Sequence, residues 1–151
     1  MTGLIIREAT ELDVPAMAEL RDQSGWEGGA SQERMRLYLR GEHHPQHARQ
    51  ARTAFVAEAG GQVVGFIAGH LTTRFGCDGE LQWLLVAPAA RGGPAAARLW
   101  DHLRDWFIQQ KARRICVNVT PENVRARRFY ARMGAEELSL YWMVWPDVTS
   151  G

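Results

Sequence analysis

The sequence predicts one α/β (α+β) domain in which helices pack on a single mixed β-sheet. Three observations lead there. The chain has 151 residues, enough to bury a substantial core and a common length for one domain. Strand-like apolar runs interleave with segments whose apolar residues recur at helical spacing. Their order is β-α-α-β-β-β-α-β-α-β, and a mixed order with helices between some strands implies one mixed sheet covered by helices.

Each element has its own signal. Leu4–Glu8 is a short apolar run and reads as a first strand. Asp13 is placed to cap a helix that carries Met17 and Leu20. Gly25-Trp26-Glu27-Gly28-Gly29 reads as a loop. Ser31 can cap a second helix through Tyr38 and Leu39, and Gly41 ends it. The polar stretch from His43 to Gln50 reads as loop. Ala54–Ala59 and Val63–Leu71 are strand-like and joined by Gly60-Gly61, a hairpin signal. Glu80–Val86 is a further strand. Pro94–Lys111 reads as a helix, with apolar residues at 96, 99, 100, 103, 106 and 107 on one face. Arg114–Val119 is a strand. Thr120-Pro121 would open the last helix as cap and first position. Ala126, Phe129, Tyr130 and Met133 form its inner stripe, and Gly134 stops it. Leu140–Trp145 reads as a final strand.

Composition excludes several classes. Hydrophobic residues make up 46% and charged residues 23%, as in a soluble globular protein. No apolar run approaches the roughly 20 residues a membrane helix needs, so no membrane partner is expected. The N-terminus has no long apolar region and does not read as a signal peptide. Cys77 and Cys116 lie far apart in sequence and match no metal-ligand spacing, which fits two reduced thiols in a cytoplasmic protein. His43-His44-Pro45-Gln46-His47 lacks the helical spacing of a metal pair and no acid or cysteine supports it, so no metal is expected. Net charge is only +1, yet residues 86–134 carry 10 basic and 3 acidic side chains. A local basic excess on a near-neutral chain points to a bound anion rather than to nucleic acid.

Two segments carry chemistry. The first runs from Leu81 to Leu99: strand, then the basic Gly-rich turn Arg91-Gly92-Gly93-Pro94, then a helix N-terminus. Such a turn aims several backbone N–H groups at one point, and the helix dipole adds partial positive charge. A pyrophosphate is the natural guest; an ordinary turn of small residues is the alternative. The second segment, Val119 to Ala135, holds Asn123, Ala126, Phe129-Tyr130 and Gly134 in fixed register. Together they resemble the GNAT superfamily of N-acetyltransferases over about residues 62–135. The first matches its strand, Val-x-Pro, Arg/Gln-x-x-Gly-x-Gly/Ala motif; the second matches Asn-x-x-Ala-x-x-Phe-Tyr followed by Gly-Ala. One departure stands out: Pro94 occupies the central glycine of the cofactor turn, which removes at most one N–H donor and suits a helix start.

The resemblance implies a single domain over residues 1–151 with a mixed, mostly antiparallel sheet flanked by helices. It implies an enzyme that moves an acetyl group from acetyl-CoA to a primary amine by direct transfer in a ternary complex. Gly92, Gly93, Ala95 and Ala96 would hold the pyrophosphate with Arg91. Leu84, Leu85 and Val86 would hold the pantetheine arm, with Asn123, Ala126 and Tyr130 on the facing helix. Tyr130 would be the acid for the leaving thiolate; a plain core tyrosine is the alternative. A base is also required, since an alkylamine with a pKa of ~10.4 is almost wholly protonated at pH 7. Glu80 and Gln82 are the candidates, read as sharing a strand face with Leu84 and Val86. Only Glu80 can take a proton, so Gln82 is assigned to the acceptor side with Trp26 and Glu27. The alternative function is a degenerate module that binds acyl-CoA or protein without catalysis. A homodimer is expected from the aromatic run Tyr141–Trp145, too aromatic for an exposed terminal strand.

Overall fold

The computed structural model describes residues 3–23 and 32–150. Its elements are β1 (Ile5–Glu8), α1 (Val14–Gln23), α2 (Gln32–Arg40), β2 (Ala48–Ala59), β3 (Gln62–Thr72), β4 (Gly79–Val86), α3 (Ala95–Gln109), β5 (Ile115–Asn118), α4 (Val124–Arg132), β6 (Glu136–Ser139) and β7 (Trp142–Trp145). Among the described residues the seven strands form one sheet in the order β1-β2-β3-β4-β5-β7-β6. Every neighbouring pair is antiparallel except β4 and β5, which are joined through α3 and run parallel. That is the mixed, mostly antiparallel sheet the resemblance implies.

The core lies on both faces. One face packs Ile67, Leu81, Ile115 and Val117 against Leu99, Leu103 and Phe107 of α3 and Tyr130 of α4. The other packs Val56, Phe66, Ala68 and Trp83 against Val14 and Met17 of α1 and Met35 and Tyr38 of α2. Helix α3 sits close to the strands because Gly69 and Gly79 offer no side chain. A Cβ on Gly79 would fall 2.5 Å from the Phe107 ring, and one on Gly69 2.9 Å from Leu103.

Several boundaries differ from the sequence reading, each for a local reason. Thr10, not Asp13, caps the first helical turn, and Asp13 completes a capping box by accepting from the Thr10 N–H at 2.8 Å. Arg7 then clamps the Asp13 carboxylate with two hydrogen bonds at 2.9 and 2.8 Å. Helix α4 begins after Asn123, whose side chain accepts the Ala126 N–H; the Thr120 carbonyl instead closes a turn on the Asn123 N–H. Pro94 is the N-cap of α3 rather than its first residue. Strand β2 starts at Ala48, inside the stretch expected to be loop. The supposed final strand is the second arm of a hairpin, β6–β7. Ser31, expected to cap α2, lies outside the described residues.

The hairpin changes the reading of the aromatic run. Strand β7 lies inside the sheet between β5 and β6. Met143 and Trp145 pack on the α3 side, where Trp145 stacks on Trp100 with centroids 4.2 Å apart. Trp142 and Val144 pack on the other side with Cys77 and Cys116. Residues 142–145 are thus packed within one chain while Tyr141 stays exposed, and β7 is not a free edge strand, so the edge-pairing motive for a dimer does not apply to it. Cys77 and Cys116, distant in sequence, are free thiols in this one buried cluster.

Candidate active site

The sheet splits between β4 and β5. Their pairing spans only Gly79↔Ile115, Glu80↔Cys116 and Leu81↔Val117. Beyond Leu81, β4 continues to Val86 with β3 alone beside it. A row of β4 backbone N–H and C=O groups therefore borders a gap with no strand beside it, and such groups need a partner. The gap widens into a cleft of about 970 Å³ lined by 81–86, by Arg91, Gly92, Gly93, Ala96 and Ala97 at the start of α3, and by Asn123, Ala126, Phe129 and Tyr130 of α4.

At one end the cleft meets an anion-binding arrangement. Gly92 has φ of +83°, the left-handed conformation glycine tolerates, and a Cβ there would meet nothing within 4 Å. The first intrahelical bond of α3 runs from the Arg98 N–H to the Pro94 carbonyl, so the N–H groups of Ala95, Ala96 and Ala97 have no helical partner. Gly93 differs from expectation: its N–H turns back to the Ala90 carbonyl at 3.3 Å. The Ala95 side chain is in the core at 3% exposure, leaving Ala96 and Ala97 to face the cleft. Arg91 lines the cleft as expected. So do Arg125 and Arg132, while Arg127 reaches back to the Val119, Thr120 and Leu140 carbonyls.

Along the middle, Leu84 and Val86 pack toward the α3 side and Leu85 toward the α1–α2 side. Tyr130 lines the gap at 6% exposure, edge-on to Trp145 with centroids 5.6 Å apart. Burial pushes its hydroxyl well above the usual tyrosine range, so it carries its proton at neutral pH.

At the far end lie Glu80 and Gln82, and here the structure corrects the sequence. The register passes from Ala68↔Trp83 to Gly69↔Leu81, which leaves Gln82 as the extra residue of a β-bulge. The bulge reverses the alternation. Leu81 faces α3 while Trp83 faces α2, two residues apart yet on opposite faces. Glu80 consequently does not share a face with Leu84 and Val86. It is buried on the α1–α2 side, where its Oε1 accepts from Arg74 Nε at 3.0 Å and lies 3.7 Å from Nε2 of His70. Arg74 in turn lies over the Trp142 ring, 4.6 Å from its centroid, and donates to the Gln46 carbonyl. Both Glu80 and Gln82 line the cleft. Trp26 and Glu27 lie outside the described residues. Arg74, His70 and Trp142 were not found from sequence. A histidine inside the apolar run Val63–Leu71 was the one available signal; nothing marked Arg74.

The model of the acetyltransferase (GNAT) family matches residues 17–135. The spore coat polysaccharide biosynthesis protein SpsD of Bacillus subtilis (strain 168) is 33% identical over 99 residues, 64% of this chain but only 33% of that protein. The chain therefore spans about a third of that relative. Among solved structures, Ard1 from Thermoplasma volcanium superposes with a TM-score of 0.79 at 21% identity, covering 93% of this chain and 95% of that one. The ribosomal-protein-S18-alanine N-acetyltransferase from Escherichia coli gives 0.75 at 15% identity, with 99% and 97% covered. At these identities the structures establish a shared fold.

Proposed function

The chain belongs to the acetyltransferase (GNAT) family, and we propose that it moves the acetyl group of acetyl-CoA to a primary amine by direct transfer in a ternary complex. The observation that carries this reading is the split between β4 and β5, which opens from the N-terminus of α3 to Glu80 and passes Tyr130 on the way. The residues fit the donor. Unpartnered N–H groups at the start of α3, with Gly92, Arg91 and the cleft-facing Arg125 and Arg132, suit a pyrophosphate and a further phosphate. The bare edge of residues 82–86 suits an amide-bearing arm, which can hydrogen-bond to it as a strand would. The thioester supplies an activated acyl group.

The chain's own residues supply the rest. The Glu80 carboxylate takes the proton of the incoming ammonium, freeing the nitrogen lone pair. Tyr130, kept neutral by burial, gives its proton to the departing sulfur. Because the bulge turns Glu80 to one face and α4 brings Tyr130 from the other, base and acid reach the gap from opposite faces of the sheet, one serving the attacking nitrogen and the other the sulfur expelled when the tetrahedral adduct collapses. Gln82, Trp26 and Glu27 belong to the acceptor side. Of the proteins named above, one is an N-acetyltransferase of an alanine of ribosomal protein S18 and another a spore coat polysaccharide biosynthesis protein, so peptide amines and amino sugars both belong in the search for the acceptor. A homodimer and a cytoplasmic location complete the proposal. The test is thiol release from acetyl-CoA across a panel of amino sugars, amino acids, polyamines and N-terminal peptides. Turnover with at least one amine supports the enzyme. CoA binding with no turnover on any of them supports the degenerate binding module instead.

A further inference from the structure

Behind Glu80, away from the cleft, lies a fully buried polar pair that nothing above uses. His70 of β3 sits opposite Glu80 in the β3–β4 register and has 0% exposure. Its Nδ1 is 3.0 Å from the hydroxyl of Tyr38, also at 0% exposure. Its Nε2 has no hydrogen-bond partner among the described residues and points toward Oε1 of Glu80 at 3.7 Å. A buried polar atom left unpartnered is costly, and here the orphan faces the carboxylate assigned as base.

We propose that His70 is a positioning residue for Glu80: neutral, protonated on Nε2, it aims that N–H at Oε1 and holds the carboxylate with its second oxygen turned to the acceptor. This rests on Glu80 acting as the base. Two arguments favour the proton on Nε2. The Tyr38 hydroxyl has one hydrogen, and His70 Nδ1 is its one hydrogen-bond partner among the described residues. Burial keeps that hydroxyl protonated, so its hydrogen is available to Nδ1, and with Nδ1 accepting, the imidazole hydrogen sits on Nε2. The opposite tautomer would set the Nε2 lone pair against a carboxylate oxygen, which is repulsive.

The surroundings supply the other anchors. Arg74 donates to the same Oε1 from the β3–β4 turn, and Cys116 lies across from Glu80 on β5. On the far side, the Arg52 guanidinium lies 4.9 Å from the Tyr38 ring centroid and is itself held by the His43 and Gln50 carbonyls and by His44 Nδ1. Oε1 is thus approached by two donors, while Oε2 has no hydrogen bond from any described residue. One anchored and one free oxygen is the arrangement a base needs to meet a substrate proton at a fixed angle.

The test has two arms. Nitrogen-15 NMR of the native protein at pH 7, with the His70 signals identified by their loss in His70→Gln, reads the tautomer without any substrate. A neutral ring with hydrogen on Nε2 is expected; hydrogen on Nδ1, or on both nitrogens, overturns the proposal. The second arm compares two amides in the same slot. Glutamine can place an amide N–H near the Nε2 position, whereas asparagine reaches only as far as Nδ1. With a responsive amine, His70→Gln should keep kcat within about threefold, and His70→Asn should lose roughly tenfold at unchanged KM for acetyl-CoA. Equal losses in the two variants at equal melting temperatures, or no loss in either, would mean His70 only fills space. Failure of the base assignment has a different signature: Glu80→Gln turning over at the native rate while the tautomer is as expected.

Discussion

The two ends of the cleft are built by different means. The end proposed for the donor is made of backbone: the bare edge of β4, the left-handed Gly92 and the open first turn of α3. The end proposed for the acceptor is made of side chains drawn from distant segments: Glu80 on β4, Arg74 on a turn, Trp142 on β7 and His70 behind them. Backbone is set by fold and by small residues, so that end is common property of the architecture. Side-chain constellations depend on individual residues and on strand register, so that end is not set by the architecture alone. Substitutions should sort accordingly, with donor-end changes moving CoA affinity and acceptor-end changes moving turnover.

The largest effect is expected at Glu80. Glu80→Gln should lower kcat by on the order of 10²–10³-fold, with CoA binding unchanged by calorimetry. Tyr130→Phe should cost on the order of 10² in kcat, again at unchanged CoA affinity; native turnover would leave water to protonate the thiolate. Arg74→Gln keeps polarity but loses the charge beside Glu80 and over Trp142, and should raise acceptor KM by about tenfold with KM for acetyl-CoA unmoved. A shift in CoA affinity in any of these three would blur the division between the two ends.

Away from the cleft, the Arg7–Asp13 clamp fixes the start of α1. The Arg7 guanidinium holds the Asp13 carboxyl below its ordinary range. A depressed carboxyl stabilises the fold above its unfolded pKa, and that stability fades as pH falls through the folded one. Urea titration of Asp13→Ala should therefore show a loss of about 1–2 kcal/mol at pH 7, shrinking at the acid end. Pro94→Gly should do least. It restores one N–H at the N-cap of α3 and should tighten CoA by no more than roughly 0.5–1.5 kcal/mol. Weaker binding would mean that the fixed proline φ matters more than the donor.

What could be read from sequence follows the same division. The cleft wall was legible at Gly92, Ala96, Asn123 and Tyr130 because the resemblance rests on those residue types at set spacings, and the structure brings all four to the cleft. The inner stripe of α4 was legible because a buried helix face repeats. Three things were not. The bulge at Gln82 carries no residue signature, yet it alone decides which way Glu80 points. The β6–β7 turn at Leu140-Tyr141 has no glycine or proline, so Glu136–Ser139 was not read as a strand and the final strand was started at Leu140. The Arg74–Glu80–His70 group is assembled by strand register, which periodicity does not specify.

The central claim is that the split between β4 and β5 and the start of α3 hold acetyl-CoA. Ala96→Glu tests it most directly, because one change has opposite signs for folding and for binding. A glutamate in the first turn of α3 complements the helix dipole and should leave the melting temperature unchanged or slightly raised. The same carboxylate would stand where the pyrophosphate is expected, against a cleft wall that now presents N–H groups. Calorimetry should give 1:1 binding of CoA to the native protein tighter than 1 mM, about −4 kcal/mol, and no measurable heat with the variant. Native-like affinity in a folded Ala96→Glu, or no CoA binding by the native protein at millimolar concentration, would contradict the account.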